Sequence, residues 1–166
     1  RKLMLRTTNR PAALCLTRQN LATVDRAVAG AATGVAKGGY VLFDAPDGKP
    51  AVLLIATGSE VGLCVDARAK LAAEGIHARV VSLPSWELFA EQDAAYRESV
   101  IPSSVTARVC VEMASALGWE RFAGPSGAIL AMHAFGESAP WQEVAKHFGF
   151  TVDKVVRLAK AQLGRA

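Results

Sequence analysis

The chain has 166 residues, 51% of them apolar and 20% charged, with a formal net charge of +4. That is room for about one domain with a full hydrophobic core, and it excludes a disordered or low-complexity chain. The Lys and Arg residues are scattered, with no basic run beside interleaved aromatics, which argues against nucleic acid; no apolar run approaches the ~20 residues that cross a bilayer, which argues against a membrane span.

The first predicted element is a strand over residues 12–16, followed by "TRQN". Arg18 there has two readings. Either the strand ends and the guanidinium reaches water, or Arg18 stands at a strand's carboxyl end to meet an anion. A lone strand cannot bury its faces. It is either an edge of this domain or the last strand of a neighbouring one. Residues 20–34 have scattered glycines and poor periodicity and read as a linker with some helical turns. "KGGYVLFDA" (37–45) is a short strand entered through two glycines, and "PDGKP" (46–50) is a turn. "AVLLIAT" (51–57) is a nearly continuous apolar run, which suits a parallel strand covered on both faces.

Residues 58–75 are the clearest helix, with Ser59 as the expected N-cap and Glu60 as an acid in the first turn. Val61, Cys64, Val65, Ala69, Leu71 and Ala72 form its apolar stripe, and Gly75 is its stop. A strand follows over 78–84. This strand–helix–strand unit of about 34 residues predicts a right-handed crossover between parallel strands. Residues 85–101 hold one or two short helices closed by Pro102. Strands at 107–113 and 127–132 precede helices at 139–149 and 151–163, the last capped by Thr151. Alternating strands and helices predict an α/β sandwich with a mostly parallel sheet.

Candidate chemistry is sparse. Gly58 and Gly62 stand without the third glycine of a dinucleotide fingerprint, so "ATGSE" is either a tight turn or an anion site at a helix start. Glu112 ends a core strand, where it is either a base or a holder of a neighbouring backbone group or arginine. His77, His133 and His147 and Ser138 form no catalytic set by spacing. Cys15, Cys64 and Cys110 lie in apolar runs without metal-ligand spacing and read as reduced core thiols of a cytoplasmic protein. Trp86, Phe89, Tyr96, Trp119, Phe122 and Phe135 lie off the strands. They either pack under loops or face a subunit interface.

The motifs "LTRQN", "KGGYVL", "IATGSEV", "GIHARVVSLPSWELF", "QDAAYRESVIP", "ARVCVEMA", "GWERFAG", "FGESAP" and "FGFTVDKVV" occur here in one register, from about residue 11 to residue 160. In that order and spacing the chain resembles the C-terminal part of the transketolases. Met113 and Ala114 depart from the Ala-Gly of many members. The resemblance implies a three-layer α/β/α sandwich with a mostly parallel sheet of about five strands, one of them antiparallel. It implies that residues 1–20 are a remnant of an upstream pyrimidine-binding domain, that 21–36 are a linker and that 37–166 are the C-terminal domain.

For the longer enzyme it implies transfer of a two-carbon ketol unit between ketose and aldose phosphates in the pentose phosphate pathway. It further implies thiamine diphosphate with Mg²⁺ or Ca²⁺, a homodimer, and contacts with the upstream domains. Arg18 would then bind the phosphate of the sugar phosphate substrate. No catalytic, cofactor or metal residue is expected in this piece, which is expected to be inactive alone and to bind no cofactor. The alternative is a regulatory α/β module that holds an anion or nucleotide at Gly58–Glu60 without catalysis.

Overall fold

A computed structural model describes residues 2–165. Five strands form one sheet in the order β1-β3-β2-β4-β5. They are β1 (Tyr40–Phe43), β2 (Val52–Ala56), β3 (Ala78–Ser82), β4 (Arg108–Ser115) and β5 (Ala128–Met132). β1 runs antiparallel to β3, and the remaining pairs are parallel. The expected mostly parallel sheet with one antiparallel edge is therefore present.

The helices are α1 (Lys2–Arg6), α2 (Glu60–Ala73), α3 (Trp86–Ala90), α4 (Ala94–Val100), α5 (Glu120–Ala123), α6 (Trp141–His147) and α7 (Val152–Gln162). Strand periodicity assigns them to layers. Along β2, Val52, Leu54 and Ala56 face a core that includes Cys64, Leu71, Ala145, Val155 and Ala159, the inner faces of α2, α6 and α7. Leu53 and Ile55 face the other way, onto Phe89, Val100, Trp119 and Phe122 around α3, α4 and α5. All five β2 residues are fully buried, which is why no polar alternation appears in that run. Each such Val, Leu or Ile contributes roughly 1.5–3 kcal/mol of burial.

Several local readings change. α2 starts at Glu60, but Ser59 is itself helical and its hydroxyl caps no amide; it bonds the Glu60 carboxylate instead. The buried stripe of α2 is Glu60, Cys64, Ala67 and Leu71, while Ala69 and Ala72 are exposed. Gly75 does end the helix, at φ 72°. Thr151 caps α7 by accepting a bond from the Lys154 amide.

The predicted strand at 12–16 does not form. Residues 8–24 make no backbone–backbone hydrogen bond among the described residues, and Cys15 is exposed rather than a core thiol. An apolar run becomes a strand only when a neighbour pairs its N–H and C=O groups, and none lies beside it here. Further on, the chain docks. The Gly30 amide donates to the Leu42 carbonyl at 2.8 Å, and Arg26 donates to the Gly30 carbonyl at 2.8 Å. Gly30 has to be glycine for this approach, since a Cβ would sit 2.1 Å from the Val41 carbonyl oxygen. Gly38, at φ 79°, likewise turns the chain into β1 where a Cβ would meet the Phe89 amide at 2.3 Å.

Candidate functional site

The carboxyl ends of β2 and β4 lie where the strand order reverses, the place at which open α/β sheets form a crevice. Two glutamates reach it. β2 ends at Ala56, and the chain turns through Gly58 at φ 55° into α2. Glu60, the first residue of α2, is only 4% exposed. Its carboxylate accepts a 2.6 Å bond from the Ser59 hydroxyl, and its own amide and the Met113 amide on β4 also favour its charged form. Burial pushes its pKa up, and these contacts partly offset that.

Glu112, one residue before Met113, is half-buried. Burial, and then the nearby charge of Glu60, push its carboxyl up to about 7. For the two readings of Glu112, as a base or as a holder of a backbone group or arginine, its carboxylate accepts no hydrogen bond from an arginine or backbone group among the described residues, and the charge it feels is that of Glu60. Glu112 lies just where the β4–β5 register shifts, between Glu112 and Ser115. At neutral pH it presents one carboxyl near half-protonation, able to give or take a proton.

The helix start is not an open anion cradle. The Glu60 amide already donates to the Thr57 carbonyl at 3.3 Å, and the buried Glu60 carboxylate occupies the positive end of α2. A cleft of about 450 Å³ opens beside it, walled by Leu21, Val24, Arg26, Tyr40, Ser59 and Val65. Among the described residues, no three His, Cys, Asp or Glu side chains converge as a metal site.

Arg18 is exposed, and it makes no ion pair or side-chain hydrogen bond among the described residues. His77, His133, Ser138 and His147 are all exposed; His147 approaches the Glu137 carboxylate at 3.6 Å. Burial pushes the Cys64 thiol up in pKa and the Cys110 thiol up to about 12, so both are inert core groups. Five of the six off-strand aromatics pack together, with Trp86 5.1 Å from Trp119 and 5.3 Å from Phe122 between ring centres, and Phe89 6.3 Å from Tyr96. Phe135 alone stands out, 96% exposed.

Two functional-looking charges escaped sequence reasoning. Glu60 looked like an ordinary first-turn acid; the signal was its place directly after a fully apolar strand, level with Glu112. Arg79, 6% exposed, hides inside "ARVVSLP". It donates to both Asp44 carboxylate oxygens at 2.8 Å and to the Ser99 and Val100 carbonyls at 2.8 and 3.2 Å. It thereby satisfies the carboxyl end of α4 and pins the turn after β1.

Comparison with known proteins agrees with this architecture. The family model of the transketolase-like TK C-terminal domain matches residues 38–151. The transketolase of Geobacillus stearothermophilus is 51% identical over 164 residues, covering 99% of this chain and 25% of that protein. Transketolase 1 of Escherichia coli K12 is 55% identical over 153 residues, covering 92% of this chain and 23% of that protein. A solved transketolase of Pichia stipitis, in complex with sedoheptulose-7-phosphate, superposes with a TM-score of 0.76 at 34% identity, over 89% of this chain and 21% of that one. The chain thus spans about a quarter of the length of the curated relatives it matches. On the family match, the sheet order and the helical layers together, it belongs to the transketolase C-terminal domain family.

Proposed function

We propose that this chain is the C-terminal portion of a transketolase, which moves a two-carbon ketol unit from a ketose phosphate to an aldose phosphate. The observation that carries the reading is identity of about half the residues with curated transketolases over nearly the whole chain. In this reading residues 1–20 belong to the upstream pyrimidine-binding domain, 21–36 link, and 37–166 form the C-terminal domain. Thiamine diphosphate and its divalent metal would supply the carbanion chemistry. The described residues do not fit that group, because no acidic or His/Cys cluster of metal-binding size is present. No step of the reaction is therefore assigned to a residue of this chain.

What the chain contributes is scaffold, contacts with the upstream domains and the second subunit of a cytoplasmic homodimer, and one substrate contact. Arg18 is the substrate contact. An exposed guanidinium without a carboxylate partner among the described residues is free to take a sugar phosphate through two parallel charge-assisted bonds. That a relative is solved with sedoheptulose-7-phosphate supports a phosphorylated sugar as the ligand. The reading of Gly58–Glu60 as a regulatory anion site is disfavoured by the paired amide and the buried carboxylate there.

The test compares the isolated chain with the longer gene product. The longer protein should transfer ketol units between sugar phosphates, dependent on thiamine diphosphate and Mg²⁺. The isolated chain should show neither turnover nor a heat of cofactor binding in calorimetry. Saturable micromolar cofactor binding by the isolated chain, or no transfer by the longer protein, would refute the reading.

A further inference from the structure

We propose that the cleft between α3, α4 and α5, on the opposite side of the sheet from α2 and α7, binds an anion that carries an apolar ring, of the aryl phosphate or aryl carboxylate class. The cleft has a volume of about 600 Å³. Trp86, Phe89, Ile101 and Phe122 give it an apolar wall, and Arg97, Arg108 and Arg121 line it against a single carboxylate, Glu98.

The three guanidiniums make their contacts with neutral groups. Arg108 donates to the carbonyls of Val105, Pro102 and Phe122 at 2.7, 2.9 and 3.0 Å. Arg97 donates to the carbonyls of Ala90, at 3.0 Å, and Gln92. Arg121 lies over the rings of Trp86 and Phe122, 5.3 and 6.0 Å from their centres. Carbonyl dipoles and ring faces orient a guanidinium but bring no opposing net charge. Among the described residues no ion pair involves any of the three. The Glu98 carboxylate is held by the Ser103 amide and hydroxyl, both at 2.7 Å; it keeps its charge, and feels that of Arg108. Glu87, which feels the charge of Arg121, is held by the Ser85 hydroxyl at 2.9 Å. Three guanidiniums thus face two carboxylates, Glu98 and Glu87, and the cleft keeps a net positive charge beside low-dielectric walls, which concentrates anions. Free N–H groups on Arg97, Arg108 and Arg121 match carboxylate or phosphate oxygens.

The ring follows from the wall. Trp86 is fixed edge-on against Trp119 at 5.1 Å and beside Phe122 at 5.3 Å. The Gly118 turn, at φ 87°, lies so close that a Cβ there would sit 2.9 Å from the indole. Trp86 is thus a fixed base for the Arg121 stack, which a planar ligand extends. This site lies outside the carboxyl-end crevice and does not rest on the ketol-transfer reading.

The test titrates the full 166-residue chain with phenyl phosphate, with inorganic phosphate and phenol as separate probes, by calorimetry and tryptophan fluorescence. Phenyl phosphate should bind one to one with a Kd of roughly 0.1–10 mM, at least about 10-fold tighter than either probe. Arg121→Gln, at an exposed position, should weaken it about 10-fold or more with the circular dichroism unchanged. Arg157→Gln, on α7 across the sheet, should have no effect. Three results would each overturn the proposal: no saturable binding by about 20 mM, inorganic phosphate binding as tightly as phenyl phosphate, or full affinity in folded Arg121→Gln.

Discussion

Glu112 is the residue whose ionisation bears most directly on the fold. Its carboxyl is pushed up to about 7, while in the unfolded chain it titrates near 4.5. Between those values the folded state holds the proton more tightly, so this contribution to stability is fully present below about 4.5 and is lost as pH rises to 7. The displacement corresponds to about 3 kcal/mol at most, or about 6–12 °C in Tm for a chain of this size. The exposed carboxylates Glu87, Glu91, Glu98 and Asp153 have lowered pKa values. They act in the opposite sense, at lower pH, so the informative quantity is the difference from a variant. Glu112→Gln should gain stability relative to the parent as pH is raised from 5 to 8; a Tm difference that stays constant across that range would remove the carboxyl pair as its origin. Sequence reasoning placed Glu112 at a strand end, whereas β4 runs on to Ser115 and only its pairing with β2 stops, at Val111; nor could it see the charge of Glu60. Glu60 lies 52 positions earlier, brought alongside only by the β2–β4 pairing of Leu53–Ala56 with Arg108–Val111.

Elements were legible where one signal dominated. β2 reads as an uninterrupted apolar run, and α7 carries its cap, Thr151, at its start. The strand at 12–16 was misread because apolar composition marks burial and not pairing. With no neighbouring strand, Leu14 and Leu16 stay exposed, and Arg10, ion-paired with Glu91, anchors the preceding residues. The docked part of the linker starts later, with Arg26 and Gly30. Limited proteolysis should therefore cut first within residues 11–24, where backbone bonds are lacking, and leave 38–163 intact. Fragment masses read by mass spectrometry give the answer. Protection of 11–24 as strong as that of β2 would mean that this segment pairs with something in solution, such as a second copy of the chain.

At the scale of the whole molecule, a family fold covers residues 38–151, while the proposed substrate contact lies outside it, on the segment that forms no element here. Arg18 is thus expected to act only when the rest of a longer enzyme positions it. In that protein Arg18→Ala should weaken the use of phosphorylated sugars and leave thiamine diphosphate affinity unchanged. A charge-assisted bond is worth roughly 1.5–3 kcal/mol, or about 10- to 150-fold in kcat/KM. The loss should fall mainly on KM, because a phosphate remote from the reacting carbons is held equally in ground and transition states. A sugar without the phosphate should be handled as before. Arg18→Lys should restore only part of the loss, since an ammonium keeps the charge but not the planar fork. Steady-state kinetics on a phosphorylated and an unphosphorylated donor separate the outcomes. Equal losses on both donors would mean that Arg18 supports the fold of the longer enzyme, and no loss on either would leave it a solvated arginine.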